Sequence, residues 1–134
     1  MTSDQQREAL VAAASDAASR AYAPYSNFCV GAAVLDGDGV IHTGANVENA
    51  SYGLTICAER VAIAAAVSKG ITIFTAVAIA THFPRPCPPC GMCLQTLVEF
   101  SDDMDVYLVA DGQVEQSKLS ELLPRTFDKD YLKR

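Results

Sequence analysis

The most informative stretches of this chain are Cys57-Ala58-Glu59-Arg60 and Pro89-Cys90-Gly91-Met92-Cys93. Each stretch places cysteines at the start of a helical pattern. Free N–H groups and the positive dipole end at a helix start stabilise thiolates. Three thiolates fill three tetrahedral positions of Zn²⁺ and leave the fourth for water, which is typical of a catalytic site. The sequence therefore predicts zinc bound by Cys57, Cys90 and Cys93, with Glu59 as a proton carrier beside it.

Cys87 leaves two alternatives open. Cys87-Pro88-Pro89-Cys90 is also a Cys-x-x-Cys, but its prolines lack the N–H groups that would stabilise thiolates, which favours Cys90 and Cys93. Cys87 is also available as a fourth ligand of a closed, structural zinc site. A structural site does not explain a carboxylate and an arginine beside the first cysteine, so the catalytic interpretation is preferred. Cys87 is then a loop thiol and Cys29 a buried strand thiol.

Arg60 lies one helical turn after Cys57. Three thiolates on a divalent ion leave a net charge of about -1, which weakens zinc as an acid toward its water. A guanidinium that hydrogen-bonds the sulfurs would draw charge from them. We therefore hypothesise that Arg60 tunes the metal site without binding the ion.

Hydrophobic periodicity and turn signals predict the remaining elements. Helices are expected over 4–22, 57–69, 90–100 and 119–123, and strands over 28–35, 40–44, 73–80 and 106–110, with a short strand around Val114. A hairpin followed by alternating helices and strands predicts one α/β domain over 1–134, with a mixed sheet and helices on both faces. The helix over 57–69 is apolar all round, so another subunit is expected to cover one face.

Composition excludes several classes of function. The net charge is -6 and the pI is near 4.7, which disfavours binding to nucleic acid or to an anionic membrane and suits a small neutral substrate. The polar start of the chain has no apolar signal core, and no apolar run reaches transmembrane length. We therefore expect a cytoplasmic protein, in which five cysteines serve metal binding or catalysis rather than disulfides.

From about residue 21 to residue 127 the chain resembles the small homotetrameric cytidine deaminases. The resemblance is strongest in Tyr22-Ala23-Pro24-Tyr25-Ser26-Asn27-Phe28, Gly44-Ala45-Asn46-Val47-Glu48-Asn49-Ala50-Ser51-Tyr52 and the two cysteine-bearing stretches. It implies a three-layer α/β/α domain with a five-stranded mixed sheet and one zinc ion per subunit. It also implies hydrolytic deamination of cytidine and deoxycytidine to uridine and deoxyuridine plus ammonia, in pyrimidine salvage.

The resemblance also implies roles for individual residues. Glu59 would pass a water proton to N3 of cytosine and then help ammonia leave. Asn46 and Glu48 would hold the ribose hydroxyls, and two residues apart on an extended segment they point the same way. Phe28 would stack on the pyrimidine, and the backbone of Ala58 would bind the base. Tyr52 and Phe127 would reach the site of a neighbouring subunit, in a homotetramer with shared active sites. From the residues alone, a role of Phe28 as a strand core residue is favoured over stacking on a substrate.

Two departures and several rival functions remain. The family usually has Arg-Gln after its last cysteine, where this chain has Leu94-Gln95, and the loop over 83–88 is unusual. A related zinc deaminase of another aminopyrimidine nucleoside, such as blasticidin S, is the main alternative. A nucleotide deaminase would need a cationic phosphate pocket, and a polynucleotide deaminase would need a basic groove. A zinc-stabilised module without catalytic activity is the rival from another class.

Overall fold

The computed structural model describes residues 2–133 as one mixed sheet between two layers of helices. The elements are α1 (Asp4–Ala18), β1 (Val30–Asp36), β2 (Ile41–Ala45), α2 (Ala58–Val67), β3 (Phe74–Thr81), α3 (Gly91–Glu99), β4 (Asp105–Ala110), β5 (Gln113–Lys118) and α4 (Leu119–Leu122), with 3-10 turns at Tyr52–Leu54 and Lys129–Leu132. Apart from α1 and β5, the boundaries agree with the sequence-based ones to within one or two residues.

The five strands lie in the order β2-β1-β3-β4-β5. β3 and β4 are parallel, whereas the other neighbouring pairs are antiparallel. A parallel pair needs a crossover connection, and α3 lies in the segment that joins β3 to β4. The five-stranded mixed sheet is therefore confirmed, and β5 is a complete edge strand rather than a short one around Val114.

Each face of the sheet has its own hydrophobic core. On one face α1 places Leu10 and Ala14 against Ala33 and Ala78, with Tyr107 in the same cluster. On the other face, residues of α2, α3 and α4 pack on alternate strand residues; among them are Ala62, Leu97, Leu119, Val34 and Val77. This alternation is the two-residue period of a strand, and it confirms the three-layer arrangement.

The first helix is shorter than expected, since it ends at Ala18 instead of continuing to residue 22. Tyr22 leaves the helical path because it pairs with Val47 in a parallel bridge. Its N–H donates to Asn46 O at 2.9 Å, and its carbonyl accepts from Glu48 N at 2.8 Å. Helical periodicity carries no information about such a distant partner. The correction matters for function because this bridge holds the segment that carries Asn46 and Glu48.

The absence of a side chain at Gly44 sets the position of α2 on the sheet. A Cβ at Gly44 would lie only 2.4 Å from Ala62 N and 2.8 Å from Ala58 O. Backbone atoms cannot move aside from such a contact without shifting the whole helix. Gly44 therefore allows α2 to approach β2 closely, and this approach positions the residues at the start of α2.

The expectation that α2 is buried all round is only half met within one chain. Five of its residues are buried, namely Ala58, Glu59, Ala62, Ile63 and Ala66, while Ala64 is exposed. The exposed strip of α2, which is the side that carries Ala64, is apolar, as the sequence indicates. Coverage of this strip by another subunit remains a prediction.

The helices of the described chain are short. The longest, α1, has 15 residues, and within residues 2–133 no helix combines the length and the apolar character that crossing a bilayer requires.

Candidate active site

Three cysteine sulfurs converge where α2 and α3 begin. Cys57 is the residue that caps the N-terminus of α2, Cys90 caps α3, and Cys93 lies buried in the first turn of α3. The Cys57 and Cys90 sulfurs are 3.9 Å apart, the Cys90 and Cys93 sulfurs are 3.5 Å apart, and all three lie within 4.8 Å of one another. Both helices thus direct their N-terminal ends toward the cluster.

These distances fit a tetrahedral zinc ion. Sulfurs at about 2.3 Å from one ion and at tetrahedral angles lie about 3.8 Å apart. Cys57, Cys90 and Cys93 form the only such group among residues 2–133, and Cys87 is not a member of it. The structure thus groups Cys90 and Cys93, rather than Cys87, with Cys57, and this group could supply three ligands to a metal ion.

The cluster stabilises negative charge on Cys57. The hydrogen bond from the Cys93 thiol is the largest influence that lowers the pKa of Cys57, to about 5, and Cys90 and Arg60 act in the same direction. The same hydrogen bond, followed by burial, raises the pKa of Cys93. A thiolate ligand is therefore available at neutral pH on the side of the cluster that faces Arg60.

Arg60 is held close to this thiolate. Burial opposes the charge of the guanidinium, but hydrogen bonding and charge attraction to Cys57 outweigh it and raise the pKa of Arg60. One terminal nitrogen donates to Thr55 O at 3.3 Å, while the buried Nε has no partner among the described residues. The side chain thus interacts with Cys57 and keeps one buried donor without a partner, which agrees with the tuning hypothesis.

Glu59 brings a buried carboxyl group to the same place. Glu59 follows Cys57 by two positions, and only 5% of its surface is exposed. Burial is the main cause that raises the pKa of its carboxyl group, and the neighbouring charge of Cys57 adds to it. A carboxyl group whose pKa is raised toward neutrality can both accept and donate a proton. This property is the one that a proton carrier needs.

A cavity of about 270 Å³ opens in front of the sulfurs and Glu59. Its walls include seven of the residues that the sequence predicts for metal, catalysis and substrate: Phe28, Asn46, Glu48, Cys57, Ala58, Glu59 and Cys90. Cys93 lies behind the wall. One concave site therefore joins the metal ligands to a partly apolar chamber, as small-molecule sites usually do.

Asn46 and Glu48 have structural partners that the sequence did not reveal. The Asn46 amide accepts from Val30 N at 2.9 Å and donates to Phe28 O at 2.8 Å. Glu48 accepts from Tyr25 N at 3.0 Å and also from the Ser26 hydroxyl, which is the main cause that lowers the pKa of Glu48. Both side chains therefore organise the cavity wall, and they remain at its surface.

Comparison with known proteins agrees with this geometry. Residues 4–110 match the family model described as "Cytidine and deoxycytidylate deaminase zinc-binding region". A cytidine deaminase from Halalkalibacterium halodurans is 47% identical over 123 residues, which cover 90% of this chain and 93% of the relative. The chain belongs to the cytidine and deoxycytidylate deaminase family. The matched region is a zinc-binding one, and the three-cysteine cluster is positioned to bind a metal ion.

The fold is shared with solved deaminases. The crystal structure of cytidine deaminase from Burkholderia pseudomallei superposes with a TM-score of 0.86 at 44% identity, covering 90% of this chain and 98% of that chain. A blasticidin-S deaminase from Bacillus cereus is more remote, at 29% identity over 110 residues, covering 75% of this chain and 78% of the relative. The two cytidine deaminases described above are thus more similar to this chain than the blasticidin-S deaminase, in both identity and coverage.

Tyr52 and Phe127 lie outside the cavity of their own chain. Tyr52 is 75% exposed and Phe127 is 58% exposed. Tyr52 packs near Tyr25 at a ring distance of 6.1 Å, and Phe127 stacks on Tyr131 at 5.5 Å. Within one deaminase chain, the structure therefore does not bring these two residues to the metal site.

Sequence reasoning missed parts of the cavity wall. Cys87 and Pro88 line it, and Phe83 contacts Phe28 edge to face with ring centroids 5.6 Å apart. The unusual composition of this loop was the available signal. Leu94, which stands where the family usually has arginine, is buried in the core beneath α2 and α3, so this position serves packing here.

Proposed function

We propose that this protein hydrolyses cytidine and deoxycytidine to uridine and deoxyuridine, with release of ammonia. The observation that carries the proposal is a buried carboxyl group, Glu59, beside a cluster of three cysteines and on the wall of one cavity. A structural zinc site would need neither a cavity nor a buried acid. The five cysteines are free, which suits action in the cytoplasm, where thiols stay reduced.

Bound zinc supplies a water whose pKa is low enough for it to act as a nucleophile near neutral pH. Glu59 accepts the proton that this water loses and delivers it to N3 of the cytosine ring. Once the water oxygen has bonded to C4, Glu59 would pass the remaining proton of that oxygen to the amino group. The C4–N bond then breaks, which leaves a carbonyl at C4, so one water is consumed and one ammonia is released. The raised pKa of Glu59 suits a group that must hold the proton between these two transfers.

Four residues orient the nucleoside in this proposal. Phe28 stacks on the pyrimidine, and the Ala58 backbone at the start of α2 contacts the base. Asn46 and Glu48 accept or donate hydrogen bonds to the ribose hydroxyls. All four line the cavity that contains Glu59, so base and sugar would both contact the wall of this one cavity.

The test is a cytidine assay combined with metal analysis, before and after chelation. We expect about one zinc per chain, and a loss of cytidine absorbance that is matched by an equimolar release of ammonia. Removing the metal should abolish both the absorbance change and the ammonia release, and adding zinc should restore them. Blasticidin S assayed in parallel distinguishes the alternative substrate. Zinc-free protein that still deaminates cytidine, or zinc-loaded protein that deaminates neither compound, would contradict the proposal.

The neighbour-shared site of a homotetramer is also part of our proposal. Tyr52, Leu54 and Phe127 are large apolar residues that each expose more than half of their surface, and such exposure is typical of an interaction surface. Light scattering should give a mass about four times the 14.2 kDa of the chain. A monomer that retains full activity would contradict the sharing of active sites between subunits.

Mixed oligomers test which chain supplies Phe127. Glu59→Gln and Phe127→Ala chains should each be weakly active alone. When they are co-expressed, a site with an intact Glu59 can receive Phe127 from its neighbour, so activity should recover to about a quarter of the wild-type value, in proportion to the mixed contacts formed. If Phe127 served its own chain, no combination would recover.

Replacing Arg60 with glutamine should weaken zinc retention or turnover by about tenfold. Glutamine keeps some hydrogen-bonding ability but lacks the positive charge that favours the Cys57 thiolate. Competition with a chromophoric chelator measures zinc affinity, and the cytidine assay measures kcat. Arg20→Gln is the matched control, because Arg20 makes only an exposed pair with Asp16. Unchanged zinc affinity and unchanged kcat would dismiss the tuning hypothesis.

A further inference from the structure

The loop between β3 and α3 reaches across to the cavity. Its first aromatic residue, Phe83, meets Phe28 edge to face, with ring centroids 5.6 Å apart and planes at 77°. Such T-shaped pairs are attractive because the positive ring edge meets the negative ring face. Phe83 is itself 45% exposed, so hydrophobic burial alone does not account for its position.

Phe83 is held in place from several directions. Its N–H donates to the Thr81 hydroxyl at 3.2 Å, and the guanidinium of Arg85 lies 6.0 Å from its ring centroid, within the range of cation–π attraction. Pro84 and Pro86 restrict the backbone between these contacts and the cavity wall. The loop therefore presents the Phe83 ring in one orientation.

Phe28 needs such a contact because only its backbone is fixed by hydrogen bonds. Its N–H donates to the Ser26 hydroxyl at 3.0 Å, and its carbonyl accepts from the Asn46 amide at 2.8 Å. The ring has no polar atoms, and its χ angles are restricted only by packing. One side of that ring belongs to the cavity wall, where packing atoms are missing until a substrate enters.

We propose that Phe83 is a positioning residue that holds the Phe28 ring in the orientation in which it stacks on the pyrimidine. The inference rests on the proposed contact between Phe28 and the base. Phe83 does not line the cavity with the reacting groups, so it acts through Phe28 alone. An orienting contact of this kind serves substrate and transition state equally, which affects KM and leaves kcat unchanged.

The primary test is Phe83→Ala in the zinc-loaded enzyme. We expect the KM for cytidine to rise about three- to tenfold, the range for losing one edge-to-face pair, while kcat stays within about twofold. The inhibition constant of the product uridine should rise in parallel. Phe83→Tyr, which keeps the ring, should restore both constants, and Arg85→Gln should change KM by no more than about twofold.

A matched control separates positioning from general loss of apolar surface. Val114 has the same 45% exposure as Phe83 but lies on the edge strand β5, so Val114→Ala should leave KM unchanged. Melting temperature and zinc content are measured for every variant. Phe83→Leu serves if Phe83→Ala is unstable, because leucine fills space without offering a ring edge; it should raise KM as alanine does.

The decisive experiment is the double variant with Phe28→Ala. If Phe83 acts through Phe28, adding Phe83→Ala to Phe28→Ala should cause no further rise in KM. A multiplicative rise, or an unchanged KM in Phe83→Ala, would overturn the inference while leaving the deaminase function intact. If Phe28→Ala alone leaves KM unchanged, then the proposed role of Phe28 fails, and the positioning role fails with it.

Discussion

Replacing Glu59 with glutamine should lower kcat for cytidine by about 10²- to 10⁴-fold. Glutamine has nearly the same shape and fits the buried position, but it cannot accept a proton from water or deliver one to the ring. Glu59 is not a member of the residue group that could hold the metal, so zinc content should stay at about one ion per chain. Steady-state kinetics and metal analysis on the same preparation measure both quantities.

The control for this variant is Glu8→Gln, the same substitution on the exposed side of α1, which packs on the opposite face of the sheet. It should change neither kcat nor zinc content. A Glu59→Gln protein that keeps its zinc and loses less than about tenfold in kcat would show that proton transfer does not pass through this carboxyl group. Such a result would favour a different acid over the proposed mechanism.

Replacing Cys57 with alanine should remove both zinc and activity. Alanine leaves two sulfurs, Cys90 and Cys93, which are too few to hold zinc in competition with a chelator. We expect kcat/KM to fall by at least about 10⁴-fold, because the nucleophile depends on the metal. The melting temperature should also fall, since a ligand that binds only the folded chain stabilises it.

Two other cysteine variants sharpen this result. Cys29→Ala should retain zinc and activity, because Cys29 is outside the sulfur cluster. Cys87→Ala should retain zinc, and this outcome separates a three-cysteine site from a closed four-cysteine site. Loss of zinc from Cys87→Ala as well as from Cys57→Ala would indicate four thiolate ligands and would remove the open position that catalysis needs.

The candidate metal ligands and Glu59 could be proposed from local spacing. Cys57 and Glu59 are two residues apart at a helix start, and Cys90 and Cys93 are one helical turn apart. These relations depend only on the geometry of a first helical turn, so they survive whatever packing surrounds them. The elements themselves followed from periodicity for the same reason, because regular hydrogen bonding repeats over short intervals.

Contacts between distant segments could not be predicted in this way. The end of α1 depends on the pairing of Tyr22 with Val47, and the contact of Phe83 with Phe28 joins residues on separate loops. Asn46 offered no sign in the sequence that its amide would bridge Phe28 and Val30. A polar side chain has many candidate partners along a chain, and only the folded arrangement selects among them.

The order of residues along the chain thus specified the chemistry: three thiols, one acid and one guanidinium at two helix starts. Packing decided where that chemistry meets a substrate, by bringing α2 close to Gly44 and by closing a cavity wall with Phe28, Asn46 and the β3–α3 loop. The physical reason is one of range. Helix starts and ligand spacing follow from bonds between near neighbours, whereas a cavity is the space left between segments that only tertiary packing brings together.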